Sequence, residues 1–134
     1  MTSMTRQMLR AKIHRITVTK RDIEYEGSLL LDSALMEAAD LRPFEKLEVY
    51  DIDNGNRFAT YVIEGERDSG ECCVNGAAAR LVETGDKLIL AAYVAVEESE
   101  LGDHRPRVVL IGEDNCVSSV EDHRLPANPS RTPA

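Results

Sequence analysis

The dipeptide Asn54-Gly55 lies between two runs that alternate apolar and polar residues, Lys46 to Ile52 and Arg57 to Ile63. Asn-Gly flanked by period-2 runs predicts a β-hairpin closed by a type I′ turn, because both central residues of that turn need positive φ. This commits the middle of the chain to antiparallel sheet, and the flanking segments carry related signals. Ala11 to Thr19 (AKIHRITVT) mixes β-branched with polar residues, as an edge or barrel strand does. A further extended segment is expected around Glu24 to Leu31. Cys72 to Asn75 and Arg107 to Ile111 read as short strands, and Gly76 with the alanines after it reads as a tight turn entering one helical turn. Beyond a turn at Gly85-Asp86, KLILAAYVAV is too apolar for a half-exposed edge and is expected to be a central strand. Ser33 is expected to cap a short helix over Ala34 to Ala39, which Pro43 stops. Many short strands with little helix predict a mainly β fold, a small β-barrel with short helices.

At 134 residues, 43% hydrophobic and 30% charged, the chain has the size of one domain, expected over residues 1–120. Residues 121–134, rich in proline and polar side chains, are expected to be a disordered tail. Sixteen Lys+Arg against 24 Asp+Glu give a net charge of -8. That is the wrong sign for neutralising phosphates, so neither nucleic acid nor an anionic membrane is expected as a partner. Three cysteines, two of them adjacent at Cys72 and Cys73, form no disulfide framework and indicate a reducing compartment. His14, His104 and His123 lack the spacing of a zinc site, and no metal is assigned. The longest apolar run, Leu88 to Val96, is about nine residues against the roughly 20 that a membrane helix needs. The N-terminus has no apolar leader core. A soluble, cytoplasmic protein is expected.

In an acidic chain, a lone cation on an apolar strand attracts notice. By alternation Arg57 shares a face with Ala59 and Tyr61, while Phe58, Thr60 and Val62 take the other. Arg57 beside Tyr61 can form an anion pocket, since the guanidinium fork binds a carboxylate bidentately. Spacing alone favours the plainer reading, a strand-end arginine in solvent. Lys12 carries the same two readings, half of an anion clamp or an edge-strand lysine that discourages aggregation. Tyr25-Glu26-Gly27-Ser28 places a glycine in an extended segment, where it signals a bulge, a turn or an unusual backbone geometry. The Ser28 hydroxyl can then address the preceding carbonyl, although ordinary turn chemistry accounts for Gly-Ser alone. Asn75-Gly76 is a turn, or a loop whose free N–H groups hold an anion. No G-x-S-x-G elbow surrounds Ser28, which argues against a serine hydrolase.

Taken together, MLRAKIHRITVT, DIEYEGSLLLD, DIDNGNRFATYVIEGERDSG, VNGAAA, GDKLILAAYV and RPRVVLIG, which lie between Met8 and Gly112, have an order and spacing that resembles the aspartate 1-decarboxylase family. YEGS, NGxRxxTY and NGAAA are specific in combination. The resemblance implies a double-psi β-barrel, a homotetramer with active sites between subunits, L-aspartate as substrate, and β-alanine made for pantothenate. It also implies self-cleavage between Gly27 and Ser28, leaving a β chain of residues 1–27 and an α chain from 28.

On that resemblance Ser28 Oγ attacks the Gly27 carbonyl, the amide becomes an ester, and elimination followed by hydrolysis leaves an N-terminal pyruvoyl group as the cofactor. Thr60 and Asn75 match positions that serve self-processing, Asn75 by polarising the carbonyl. In turnover the pyruvoyl ketone forms a Schiff base with the substrate amine and acts as the electron sink. Tyr61 matches the proton donor. Lys12 and Arg57 match the carboxylate-binding residues, Thr60 also contacts substrate, and Gly76, Ala77 and Ala78 match the substrate loop. Tyr25 and His14 are expected around the site. Arg80 and His104 stand where relatives often carry other residues, at positions without proposed chemistry. A maturation partner is compatible with this reading. The rival from another class is a non-processing β-barrel binding module, which Ser28→Ala would distinguish.

Overall fold

The computed structural model describes residues 4–123. Among them nine strands form one mixed sheet. They are β1 (Thr5–Thr17), β2 (Lys20–Asp22), β3 (Leu29–Asp32), β4 (Lys46–Asp51), β5 (Arg57–Gly65), β6 (Cys72–Asn75), β7 (Lys87–Glu97), β8 (Arg107–Ile111) and β9 (Val117–Asp122). Their order across the sheet is β2-β6-β3-β5-β4-β7-β1-β8-β9. Three neighbouring pairs are parallel, β1 with β8, β2 with β6 and β3 with β5. The chain leaving β1 folds back onto the far end of this order. There the Thr19 N–H donates to the Cys72 carbonyl and the Cys72 N–H donates to Thr19 Oγ1, each at 2.9 Å. The sheet therefore curls around a single core that draws Ile13 and Ile16 from β1, Leu29 and Leu31 from β3, Leu47 and Val49 from β4, and Leu88 and Leu90 from β7. Among the described residues no helix is long and apolar enough to cross a membrane.

The hairpin forms as expected, with Tyr50 opposite Arg57 and Lys46 opposite Tyr61. Its turn is not type I′. Only Gly55 has positive φ (79°), Asn54 does not, and the loop spans residues 51–56. Asp51 Oδ1 widens it by accepting from the N–H groups of Asp53 at 2.9 Å and Asn54 at 3.3 Å. Strand β7 lies between β4 and β1, the central position that its apolarity predicts.

Other boundaries move. Glu24 to Ser28 is not strand. Asp22 Oδ1 accepts from the Glu24 N–H at 3.0 Å and the Asp22 carbonyl accepts from Tyr25 N–H, which turns the chain between β2 and β3. The helix α1 (Ser33–Ala39) is capped by Asp32 rather than Ser33, because the Asp32 carboxylate accepts from the Ala34 N–H at 2.8 Å. It ends at Asp40 in the left-handed conformation, before Pro43 is reached. β9, whose side chains are mostly exposed and do not alternate, carries no sequence signal. It takes in residues 121 and 122 of the expected tail, and residues 124–134 lie outside the described residues.

Candidate active site

Strand β3 begins one residue after Ser28 and runs between β5 and β6. Leu29 is opposite Val62 of parallel β5 and Val74 of antiparallel β6. Gly27 and Ser28 thus approach the sheet with Thr60 and Tyr61 on one side and Asn75 and Gly76 on the other. The Asn75 N–H donates to the Ser28 carbonyl at 2.8 Å. The Tyr61 hydroxyl donates to the Glu26 carbonyl at 3.4 Å, the long end of the hydrogen-bond range. Asn75 is only 4% exposed, Gly27 is buried, and Ser28 is half-buried.

A glycine at position 27 suits the packing. A Cβ there would run into Ile63 Cδ1, so the bond before Ser28 lies under the Ile63 side chain, which would have to turn aside to admit a substituent. Gly76 has φ +64°, which favours glycine, and a Cβ on it would sit 3.5 Å from the Tyr25 carbonyl. It opens the 3-10 segment Gly76–Leu81, in which Ala77 is exposed and Ala78 half-buried. These small residues leave the backbone beside Tyr25 to Ser28 uncovered by long side chains.

Strand β5 divides its functional residues by alternation. Thr60 points with Phe58 and Val62 toward the core, and Tyr61 points outward with Ala59 and Arg57. Arg57 packs against the outward face of Tyr50, its guanidinium carbon 4.5 Å from the ring centroid. The Tyr50 hydroxyl shares a 2.9 Å hydrogen bond with that of Tyr93, and this contact together with burial pushes Tyr50 up to about 12. Neither tyrosine stands out in the sequence. The hairpin register was the available signal, since it pairs Tyr50 with Arg57. Lys46, Glu48, Tyr50, Ala91, Tyr93 and Gln7 line an outer cavity of ≈ 590 Å³.

Lys12 lies on the same outer face, opposite Ala91 of β7, which is opposite Glu48 of β4, which is opposite Ala59 of β5. His14, on the same face of β1, has a buried Nδ1 without a partner, and burial followed by the charges of Lys12 and Arg15 lowers its basicity. Among the described residues neither Lys12 nor Arg57 makes an ion pair. Within one chain the sheet register sets both cations apart from the Tyr61 end of β5. Lys12 is three inter-strand spacings from β5, about 14 Å, and Arg57 is four residues along β5 from Tyr61, about 13 Å. Tyr25 is 52% exposed, beside the turn that delivers Gly27.

The structure therefore combines a small, curled mixed sheet with a Gly-Ser bond held between two strands, a tyrosine hydroxyl and a left-handed glycine beside it, and unpaired cations on the outer face. These features define a small β-barrel that holds a Gly-Ser bond between neighbouring strands. The family model for aspartate decarboxylase matches residues 4–118, and the chain belongs to that family. It is 49% identical to the aspartate 1-decarboxylase of Ralstonia nicotianae over 88% of this chain and 98% of the relative. It is 54% identical to that of Syntrophus aciditrophicus over 85% and 98% respectively. The family is a pyruvoyl-dependent enzyme family with the double-psi barrel fold. The residues present fit such a group: a serine stands at the required position, and the Cα before it lies in a space that a Cβ would overfill.

Proposed function

We infer that the protein decarboxylates L-aspartate at its α-carboxylate to give β-alanine and CO2, after cutting itself between Gly27 and Ser28. The observation that carries this reading is the Gly27–Ser28 bond beneath Ile63, flanked by Tyr61 and the Asn75 backbone. When formed from Ser28, the pyruvoyl group supplies the carbonyl that captures an amine and accepts the electrons released with CO2.

The chain's own residues have separate tasks. Ser28 Oγ is the nucleophile toward the Gly27 carbonyl, and the absence of a Cβ at Gly27 leaves that carbon open to attack. Thr60 and Asn75, entering from opposite flanks, hold and polarise the carbonyl during cleavage. Tyr61, whose hydroxyl hangs beside the Glu26 carbonyl, returns the proton to the substrate's α carbon. Gly76, Ala77 and Ala78 let backbone N–H groups approach the ligand.

Lys12 and Arg57 hold the two carboxylates of the substrate and do so for a neighbouring copy's Ser28. A four-carbon diacid is short against the roughly 14 Å between Lys12 and β5 and the roughly 13 Å between Arg57 and Tyr61 in their own chain. A homo-oligomer, a tetramer by family resemblance, supplies that juxtaposition, and the outer cavity bordered by Lys46 and Tyr50 gives the partner a surface to meet. The enzyme works in the cytoplasm and feeds pantothenate synthesis.

The test is the denatured intact mass of purified protein, followed by an assay for β-alanine. Two fragments dividing between Gly27 and Ser28, the larger lighter by conversion of serine to pyruvoyl, are expected. A single chain that stays uncut after warm incubation, alone and with cell extract, would overturn this reading in favour of a binding module.

A further inference from the structure

The turn that joins β4 to β5 carries a group of carboxylates for which the decarboxylase chemistry has no use. Asp51, at the end of β4, is 3% exposed, and its Oδ2 is buried with no donor in reach among the described residues. Asp53 follows it in the turn, and Asp86 stands in the turn before β7. One oxygen from each of the three lies within 4.8 Å of the others.

Their remaining bonds are one-sided. Asp51 Oδ1 accepts from the Asp53 and Asn54 N–H groups, Asp53 Oδ2 accepts from the Lys87 N–H at 2.7 Å, and Asp86 Oδ2 accepts from the Glu83 N–H at 3.0 Å. Each carboxylate is thus fixed to the backbone through one oxygen, and burial together with the neighbouring Asp86 carboxylate pushes the Asp51 carboxyl up to about 6, the strain of gathering like charges without a cation. No cation compensates the cluster. Among the described residues none of the three carboxylates is in an ion pair, and the Lys87 ammonium donates to Thr17 Oγ1 instead. A buried carboxylate oxygen with no donor costs several kcal/mol unless a proton or a cation neutralises it.

We propose that Asp51, Asp53 and Asp86 form a site for a hard divalent cation of Ca2+ size. Oxygen-only ligands select such ions over softer metals. Two ligands on opposite sides of Ca2+ are about 4.6–5.2 Å apart, twice the metal–oxygen distance, against about 4.2 Å for Mg2+. The three oxygens lie within 4.8 Å of one another, close enough for one ion of that size to touch all three. Water completes the shell on the exposed Asp53 side. The site ties the β4–β5 turn, which leads directly into Arg57, to the start of β7.

The experiment is calorimetric titration and thermal unfolding of the chelator-treated full-length protein with CaCl2, and with MgCl2 in parallel. A saturable site with one cation per chain is expected, with Ca2+ preferred. At a hundredfold excess over Kd the melting temperature should rise by about 4 °C or more. Asp53→Asn and Asp86→Asn keep their backbone acceptor and remove a charge, so each should weaken Ca2+ binding at least about tenfold. Asp51→Asn should raise the melting temperature in chelator, by removing the unpaired charge, and should abolish the Ca2+ response. If that variant does not fold, the other two carry the test. Absence of heat and of any melting shift up to ~10 mM of either ion, beyond the weakest Ca2+ sites, overturns the proposal. So does a Ca2+ response that Asp53→Asn and Asp86→Asn leave intact.

Discussion

The two ends of β5 do different things. At its C-terminal half, Tyr61 reaches back to the Glu26 carbonyl of its own chain, and Thr60 and Val62 run alongside the approach to β3. At its N-terminal end, Arg57 lies on Tyr50 and faces outward, with no anion of its own to bind among the described residues. One strand thus carries a bond-making end that closes on itself and a charge-reading end that faces away. A rigid strand cannot bend to bring residues about 13 Å apart onto one small substrate. On the proposed function, the contrast assigns the reacting centre to one chain and recognition of the diacid to a second, and each assignment can be broken separately.

The largest effect comes from breaking the self-contained end. Ser28→Ala removes the hydroxyl proposed as the nucleophile and leaves the β3 backbone bonds in place, so the protein should fold, remain a single uncut chain by mass, and show no β-alanine production. Processing that persists in this variant would refute the site at its root. Next comes the pairing of the two ends across chains. Arg57→Ala alone should lower kcat/KM on the order of a hundredfold or more, mostly through KM, since a dianionic substrate loses one charged partner. Mixed oligomers of Ser28→Ala and Arg57→Ala subunits should show a kcat/KM well above that of either parent, because some sites would unite an intact serine with a neighbour's intact arginine. Failure to recover, in oligomers verified as mixed, would mean that both ends serve the same chain's site.

Tyr61→Phe sharpens the division further. It removes a single 3.4 Å contact from an exposed residue, so folding and cleavage should survive, whereas kcat should fall by about 10²-fold or more if the hydroxyl donates a proton. A loss confined to KM would assign Tyr61 to binding instead. A smaller, kinetic effect is expected at Gly27. Gly27→Ala would drive a methyl into Ile63 Cδ1, the far end of a flexible side chain that can rotate away, so cleavage should slow rather than stop. Adding Ile63→Val should restore part of the rate, and a gel time course of fragment appearance reads both.

The hairpin was legible because its two-residue period is imposed by the sheet itself: every other residue of β4 and β5 must enter the core, so the pattern alone puts Arg57 and Tyr61 on one face. The core strand β7 was legible for the same reason, through its lack of polar positions. What escaped depended on single polar side chains competing for backbone donors. Asp32 rather than Ser33 took the helix cap, and Asp22 turned a segment that propensity alone would extend. Asp51 opened the turn that Asn-Gly would have closed tightly. The grouping of Ser28, Tyr61 and Asn75 came from motif resemblance, since no local pattern announces that β3 will slot between β5 and β6. The spacing of Lys12 and Arg57 from the Tyr61 end of β5 was invisible because position along a chain does not say how many strands the folded sheet puts between two residues.

The smallest expected effect is also the most direct probe of the outer face. His14 is held neutral there by burial and by the charges of Lys12 and Arg15, so its folded pKa lies below the ordinary value of about 6.5. As pH falls through the unfolded value, the unfolded chain takes up a proton that the folded chain refuses. Stability from this residue is therefore present at neutral pH and declines on acidification below about 6.5, a shallow slope that His14→Gln should flatten. A dicarboxylate bound against Lys12 would cancel part of the positive field and move the His14 pKa upward. Succinate, which lacks the amine and cannot react, is the suitable ligand, and the imidazole resonances titrated by NMR with and without it give the answer. An upward shift in the assembled enzyme, lost in Lys12→Ala, would place the diacid on this face. An unchanged His14 titration under saturating succinate would break the division of labour between the two ends of β5, and the carboxylate-binding residues would have to be sought on the Ser28 side.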